Sequence, residues 1–345
     1  MLSEGTNEKV LELDVSFKPT TPHEFRRFIA SRICLFKEKN SFYQDHWENG
    51  KGKYSKKKEL GAGRFRTIHQ NMRCDLGLLF SALTEKLWEY VELGTIFAID
   101  ELLAGTNTRS PVRVYMPRKP KRNGHLLYFV ATKLDNRFAF ILDIKPYIEV
   151  PHRPTPTEAF ISLTEVLISN VVLANISNIT LVADSAFTTK ETINYLFNNK
   201  LKFILAANKY PSLPVAILRK ETKGYKNWNL RFRAEKNISI FFMVGTKDKK
   251  VKLISNTFEV SDQPEGTPTP LLYYKTHFNK VDIFNKAFYF FRNRHRHHKW
   301  THVFIDDAIS IALANSLALY NSSNGSTLKK KYWMDTVLSA LFKEL

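Results

Sequence analysis

Residues 95–100 read TIFAID and residues 178–185 read NITLVADS, two short apolar runs rich in strand formers that each close on one aspartate, Asp100 and Asp184. Runs of this length and composition predict buried strands. Ligands of α/β sheets gather outside the carboxyl ends of the strands, so a carboxylate at that edge can face a cleft. A strand-terminal Asp is also a common cap or turn former, and the spacing alone leaves both readings open. A third carboxylate, Asp282, stands early in a helical stretch within KVDIFNK. Carboxylates gathered from separate elements repel one another, and divalent cations are the usual relief. Mg²⁺ takes carboxylate, water and phosphate oxygens, and two such ions about 3.5–4 Å apart clamp the attacking and leaving oxygens of an in-line phosphodiester displacement.

Outward from these runs the pattern alternates. LLYFVATK from Leu126 and FAFILDI from Phe138 predict two more strands, with RSPVRVYMPRKPKRNGH as a basic loop ahead of them. A helix is expected from Thr157 to about Leu173, with Phe160, Leu163, Val166 and Leu167 on one stripe. TTKETINYLFNN predicts a helix capped by Thr188 or Thr189, and KFILAA a fifth strand. Toward the N-terminus, Phe25, Phe28, Ile29, Ile33 and Phe36 recur at helical spacing, as do Leu76 to Trp88, while Glu48 to Arg66 reads as an exposed basic loop. Residues 223–258 alternate in strand fashion and predict an inserted antiparallel element. Two helices, roughly Lys275 to Arg292 and Val303 to Tyr320, flank the basic linker FRNRHRHHKW. The predicted class is α/β.

The 345 residues carry 52 Lys plus Arg against 33 Asp plus Glu, a formal net charge of +19, with a pI near 9.7. That balance points to a polyanionic partner, nucleic acid first. A hydrophobic fraction of 43% with 26 Phe and 14 Tyr supplies a core, which excludes a disordered basic tail. Cys34 and Cys74 are too few for a disulfide framework or a thiolate zinc site, so a reduced, intracellular chain is expected. No uninterrupted apolar stretch approaches the roughly 18 residues of a membrane span, and the first residues lack a signal-peptide pattern, so neither membrane nor secretion is expected. A P-loop, a GxGxxG and internal repeats are absent, and no small-molecule substrate is expected.

The run FAIDELLAGTNTRSPVRVYMPRKPKRNGHLLYFV resembles the signature around the first catalytic Asp of piggyBac-type DNA transposases, through Ile99, Asp100, Glu101, Arg109, Tyr115, Pro117, Lys119, Pro120 and Gly124. LVADSAFTT is similar to the family's second motif at Asp184, Phe187 and Thr188, with Ser185 for its Asn and Ala186 for its aromatic. HFNKVDIFNKAFYFFRNRHRHHKW resembles the third, with Asp282 at its first Asp and Lys299-Trp300 at the preserved interval. The resemblance spans about residues 22–320. It implies cut-and-paste strand transfer by a ribonuclease-H-like core, with Asp100, Asp184 and Asp282 as a metal-binding catalytic triad for Mg²⁺ or Mn²⁺. It also implies a homodimer acting on transposon ends and target DNA in the nucleus.

The expected layout is a disordered leader over 1–20, a helical DNA-binding and dimerisation region over 21–94, the first part of the core over 95–210 and a β-rich insertion over 211–270. Core completion and C-terminal helices follow over 271–325, then a tail helix over 326–345. Five departures from the family pattern stand out. Asn285 replaces the family's second Asp, Asn279 and Lys280 replace two glycines, and Arg294-His295-Arg296-His297 replaces a Ser-Arg-Lys-Thr stretch. No cysteine follows Cys74, so the family's cysteine-rich zinc tail is not expected, and its acidic leader is expected to be missing or truncated. These departures keep two alternatives in view: a domesticated DNA binder without catalysis, and a nuclease on the same fold without strand transfer.

Arg109, Arg113, Arg118, Lys119, Lys121 and Arg122 follow the first strand. As phosphate contacts they would make log affinity fall with log salt at about −0.9 per phosphate engaged; otherwise they form a solvated loop. Arg292, Arg294, Arg296 and Lys299 form a similar group with His295, His297, His298 and His302, which reads as a titratable DNA-contact face rather than a metal box because no HExxH or Cys/His spacing accompanies them. Trp300 either stacks on a base or anchors the linker to the core, and His69, Cys34 and Cys74 read as packing residues.

Overall fold

The computed structural model describes residues 18–37, 60–91, 94–134, 138–149, 152–171, 173–207, 230–234, 238–244, 250–258, 269–292 and 299–343. Residues 1–17 of the expected leader, most of the 48–66 loop, residues 211–229 and the linker residues Arg294, His295, Arg296, His297 and His298 lie outside them. The helices are α1 (Pro22–Lys37), α2 (Ala62–Asn71), α3 (Leu76–Trp88), α4 (Pro156–Asn170), α5 (Lys190–Asn198), α6 (Thr269–Phe291), α7 (Trp300–Ser323) and α8 (Lys330–Lys343). The strands are β1 (Ile96–Gly105), β2 (Val114–Tyr115), β3 (Asn123–Leu134), β4 (Phe138–Pro146), β5 (Thr180–Ala183), β6 (Lys202–Ala206), β7 (Leu230–Ala234), β8 (Ile238–Val244) and β9 (Lys250–Ser255).

One sheet holds the nine strands in the order β2-β3-β1-β5-β6-β9-β8-β7, with β4 also paired to β3. β1, β5 and β6 run parallel, and β3–β4 form an antiparallel pair whose register shifts between Val130 and Ala131. This mixed α/β order is consistent with a ribonuclease-H-like core. The chain divides into two compact units.

The first unit comprises residues 87–103 and 126–284 and contains most of the sheet. Its central strands are buried on both faces, as parallel strands require: Phe97, Ile99, Leu181 and Phe203 are fully buried on one side, Val182 and Ile204 on the other. α4 packs on α5 and β4. Its start is fixed by a capping box, in which Thr155 Oγ1 accepts from the Glu158 amide while the Glu158 carboxylate accepts from the Thr155 amide. The expected inserted element is antiparallel, but it is not separate from the core sheet. β9 pairs with β6 (Leu205 opposite Ile254), and Asn256 completes the edge by accepting from the Phe203 amide at 2.8 Å and donating to the Leu201 carbonyl at 2.9 Å.

The second unit joins α1–α3, residues 104–125 and residues 285–345. Its axis is α7, in which Asp306 and Asp307 are 2% and 1% exposed. Arg32 of α1 donates to Asp306 through Nε at 2.9 Å and through a second, shorter contact from Nη2. Arg292, at the end of α6, donates to Asp307 at 2.6 Å and to the Gly105 carbonyl. By length and composition α7 could cross a membrane, although Asp306 and Asp307 interrupt its apolar run. In the fold, 72% of its apolar window is buried inside the protein, so α7 is the core helix of this unit.

The expected basic loop gives way to helix from Ala62, because Phe65 and Ile68 bury against Phe28, the rings of Phe28 and Phe65 lying 5.0 Å apart. Arg64 then pairs with Glu24 at 2.6 Å. His125 is fully buried, its ring stacked on Phe304 at 4.2 Å.

Two stability measurements follow. Arg32→Ala leaves Asp306 as an uncompensated buried charge and should cost about 3–5 kcal/mol by urea unfolding, whereas Arg32→Met with Asp306→Leu should recover most of that loss. Burial, aided by the charges of Arg292 and Arg113, lowers the His125 imidazole from 6.5 to about 3. On acidification the unfolded chain takes up a proton here that the folded chain refuses, so stability falls as the pH drops below 6.5. His125→Phe should remove about 2 kcal/mol of the difference between unfolding free energies at about pH 7 and pH 5.

Candidate active site

β1 and β5 pair Ile96 with Thr180, Ala98 with Val182 and Ile99 with Ala183. The next residues in that register are Asp100 and Asp184, on neighbouring strands about 4.8 Å apart and on the same face as Ala98 and Val182. Both are half-buried. Asp184 follows the last residue of β5, as the sequence predicts. Asp100 does not end its strand: β1 continues to Gly105, because β3 still flanks it after β5 has stopped.

That face is covered by α6. Leu271 joins the cluster of Val182, Ile204, Ala206, Phe241 and Leu253, with Ile96, Tyr274 and Phe278 packed against it. Residues 274, 278 and 282 recur at four-residue spacing along one stripe of the helix, which aligns the exposed Asp282 with the two packed rings. Tyr274 stacks on Phe278 at 5.2 Å. Its phenol is held well above the ordinary tyrosine range, first by burial and then by the charges of Asp184, Asp100 and Asp282. One hydroxyl thus senses all three predicted carboxylates. The sequence reading missed Tyr274 because it began this helix at Lys275, although the four-residue spacing to Phe278 and Asp282 was available.

The turn after β5 aims Asp184. Its carboxylate accepts from the Ala186 amide, its carbonyl accepts from the Phe187 amide at 3.2 Å, and Thr188 donates to the Ala206 carbonyl at 2.6 Å. Phe187, fully buried, packs on Phe160 and Tyr128 at 6.0 and 6.1 Å, and Thr189 is the cap of α5. The matched motif residues other than the aspartate therefore build its support.

With this geometry in place, the comparisons decide the family. The family model described as Transposase IS4, a group of DDE transposases, matches residues 1–317. The chain belongs to that transposase family. Its fold is similar to that of a piggyBac transposase synaptic complex with hairpin DNA determined by cryo-EM, with a TM-score of 0.79 at 18% identity over 99% of this chain and 76% of that one. A comparison with curated protein sequences returned no match. The chain is thus a transposase of that family with a fold similar to that of a piggyBac transposase.

The transposase offers hard carboxylate oxygens, which suit Mg²⁺ or Mn²⁺ by donor type. On α6, Asn285 lies three residues beyond Asp282, and its amide Oδ1 is buried without a hydrogen-bond partner among the described residues. Among the described residues no three His, Cys, Asp or Glu side chains stand close enough to form a finished ion cage. Lys280, at a departure position, is 7% exposed.

The basic residues divide. Arg109, Arg113, Arg118 and Arg122 are exposed and Lys119 half-buried. Arg292, grouped with the linker by sequence, is a core residue at 7% exposure. Lys299 donates to the Gln70 carbonyl, and the Trp300 and Phe304 rings meet nearly perpendicular at 5.9 Å.

Phe187→Ala should cost about 3–5 kcal/mol by the cavity it leaves, read by urea unfolding, and should loosen the turn that holds Asp184.

Proposed function

We propose that this transposase hydrolyses the phosphodiester at a transposon end and directs the freed 3′-hydroxyl into a phosphodiester of target DNA. The observation that carries the reading is the register that sets Asp100 beside Asp184 on the sheet face covered by α6, the helix that bears Asp282. In this proposal the three carboxylates hold Mg²⁺, with Mn²⁺ as a substitute, and the Asn285 amide offers a neutral oxygen where the family has a carboxylate. When bound there, such ions would supply Lewis-acid polarisation of the phosphate and activation of water or the 3′-hydroxyl. The chain's own residues do the positioning. The parallel register sets Asp100 beside Asp184, the Ala186 amide orients the latter, and Tyr274, held protonated, gives a neutral O–H donor that adds no charge to an already acidic site. Arg109, Arg113, Arg118, Lys119 and Arg122, with Arg294, Arg296, Lys299 and Trp300, are proposed DNA contacts. Cut-and-paste chemistry on two ends favours a homodimer, acting in the nucleus.

A second reading, a DNA binder that does not cut, is favoured by the uncharged Asn285. Labelled DNA carrying the element's ends, incubated with Mg²⁺ or Mn²⁺, separates them. The wild type should nick, and Asp184→Asn should reduce nicking to the metal-free background while leaving DNA affinity within about twofold, because no phosphate contact is removed. Equal binding with no cutting by either protein would establish the second reading, and nicking without joining would reduce the activity to that of a nuclease.

A further inference from the structure

Within the segment between β1 and β3, β2 consists of Val114, buried at 6% exposure, and Tyr115, exposed at 58%. Successive strand residues point to opposite sides, so burying Val114 turns the Tyr115 ring outward. The backbone beneath the ring is firmly held. Val114 pairs with Gly124 and Tyr115 with Asn123, and the Met116 amide donates to the Arg122 carbonyl at 2.7 Å. Gly124 lies so close to the neighbouring backbone that a Cβ there would stand 2.6 Å from the Ala104 carbonyl oxygen. Arg113, Arg118 and Arg122, all exposed, belong to the same short segment.

A large ring presented on a firmly paired hairpin whose short segment also carries three exposed arginines matches the chemistry of nucleic-acid strands, in which bases stack on aromatics and phosphates meet Arg. Duplex DNA uses its base faces internally and offers only edges and phosphates to a protein. A free π-face exists only where a base is unpaired. We propose that Tyr115 is a stacking platform for an unpaired base of DNA, with Arg113, Arg118 and Arg122 engaging the adjoining phosphates. The inference rests on the reading of the chain as a DNA-acting transposase and adds the strand state that this segment recognises.

The test uses the full chain, a labelled DNA duplex and the same duplex interrupted by unpaired thymines, with affinities read by fluorescence anisotropy. Tyr115→Ala should weaken binding to the interrupted DNA by roughly 5- to 100-fold, the range for loss of one base–aromatic stack, with duplex affinity and salt slope unchanged. Tyr115→Phe should retain wild-type affinity on both. With 2-aminopurine at the unpaired position, the wild type should quench its fluorescence and the Ala variant should not. Equal loss on both DNAs, or loss on neither, overturns the platform while leaving the transposase reading intact. A wild type that binds neither DNA overturns the reading on which the platform rests.

Discussion

The parallel ladder that sets Ile99 opposite Ala183 is the constraint on which the acidic site depends. Side chains alternate along a strand with a period of two, so a slip of one residue would send Asp184 to the far face of the sheet while Asp100 stayed where it is. Burial enforces the register from both sides. Leu181 and Ala183 are fully buried on one face and Val182 on the other, so neither alternative pairing keeps the apolar residues covered. α6 then brings Asp282 by helical spacing from the packed Tyr274 and Phe278, so the third carboxylate follows from the same packing.

The helical unit solves a different electrostatic problem. Two adjacent aspartates on a core helix would be costly if unpaired, yet successive residues on a helix point about 100° apart. Asp306 and Asp307 can therefore be neutralised from two directions, by Arg32 from α1 and by Arg292 from the end of α6. Two of the arginines that make the chain strongly basic are thus used internally.

Much of the fold was legible because apolar period and length are local properties. The runs at 96–100 and 180–183, the stripe of α4 and the cap of α5 could all be read without knowing their partners. What was illegible depended on distant partners. Ala62–Asn71 looked like loop because its glycines and basic residues dominate until Phe28 supplies a surface for Phe65. Arg292 looked like part of a DNA-contact linker because Asp307 lies fifteen residues further on. Asp100 looked terminal because continuation of β1 depends on β3, not on β5. Of the site, the aspartates were visible as carboxylates closing apolar runs and through the resemblance. Tyr274 became visible only with the true start of α6.

The ion pair between Arg32 and Asp306 joins residues 274 positions apart, whereas the sheet unit is built mainly from one continuous stretch, 126–284. During synthesis from the N-terminus, Arg32 has no counter-ion until residue 306 has left the ribosome. The sheet can form while the chain is still growing, but the helical unit can close only after residue 306 has emerged. The apolar helix that completes it is made late, which shortens the time for which it stands exposed.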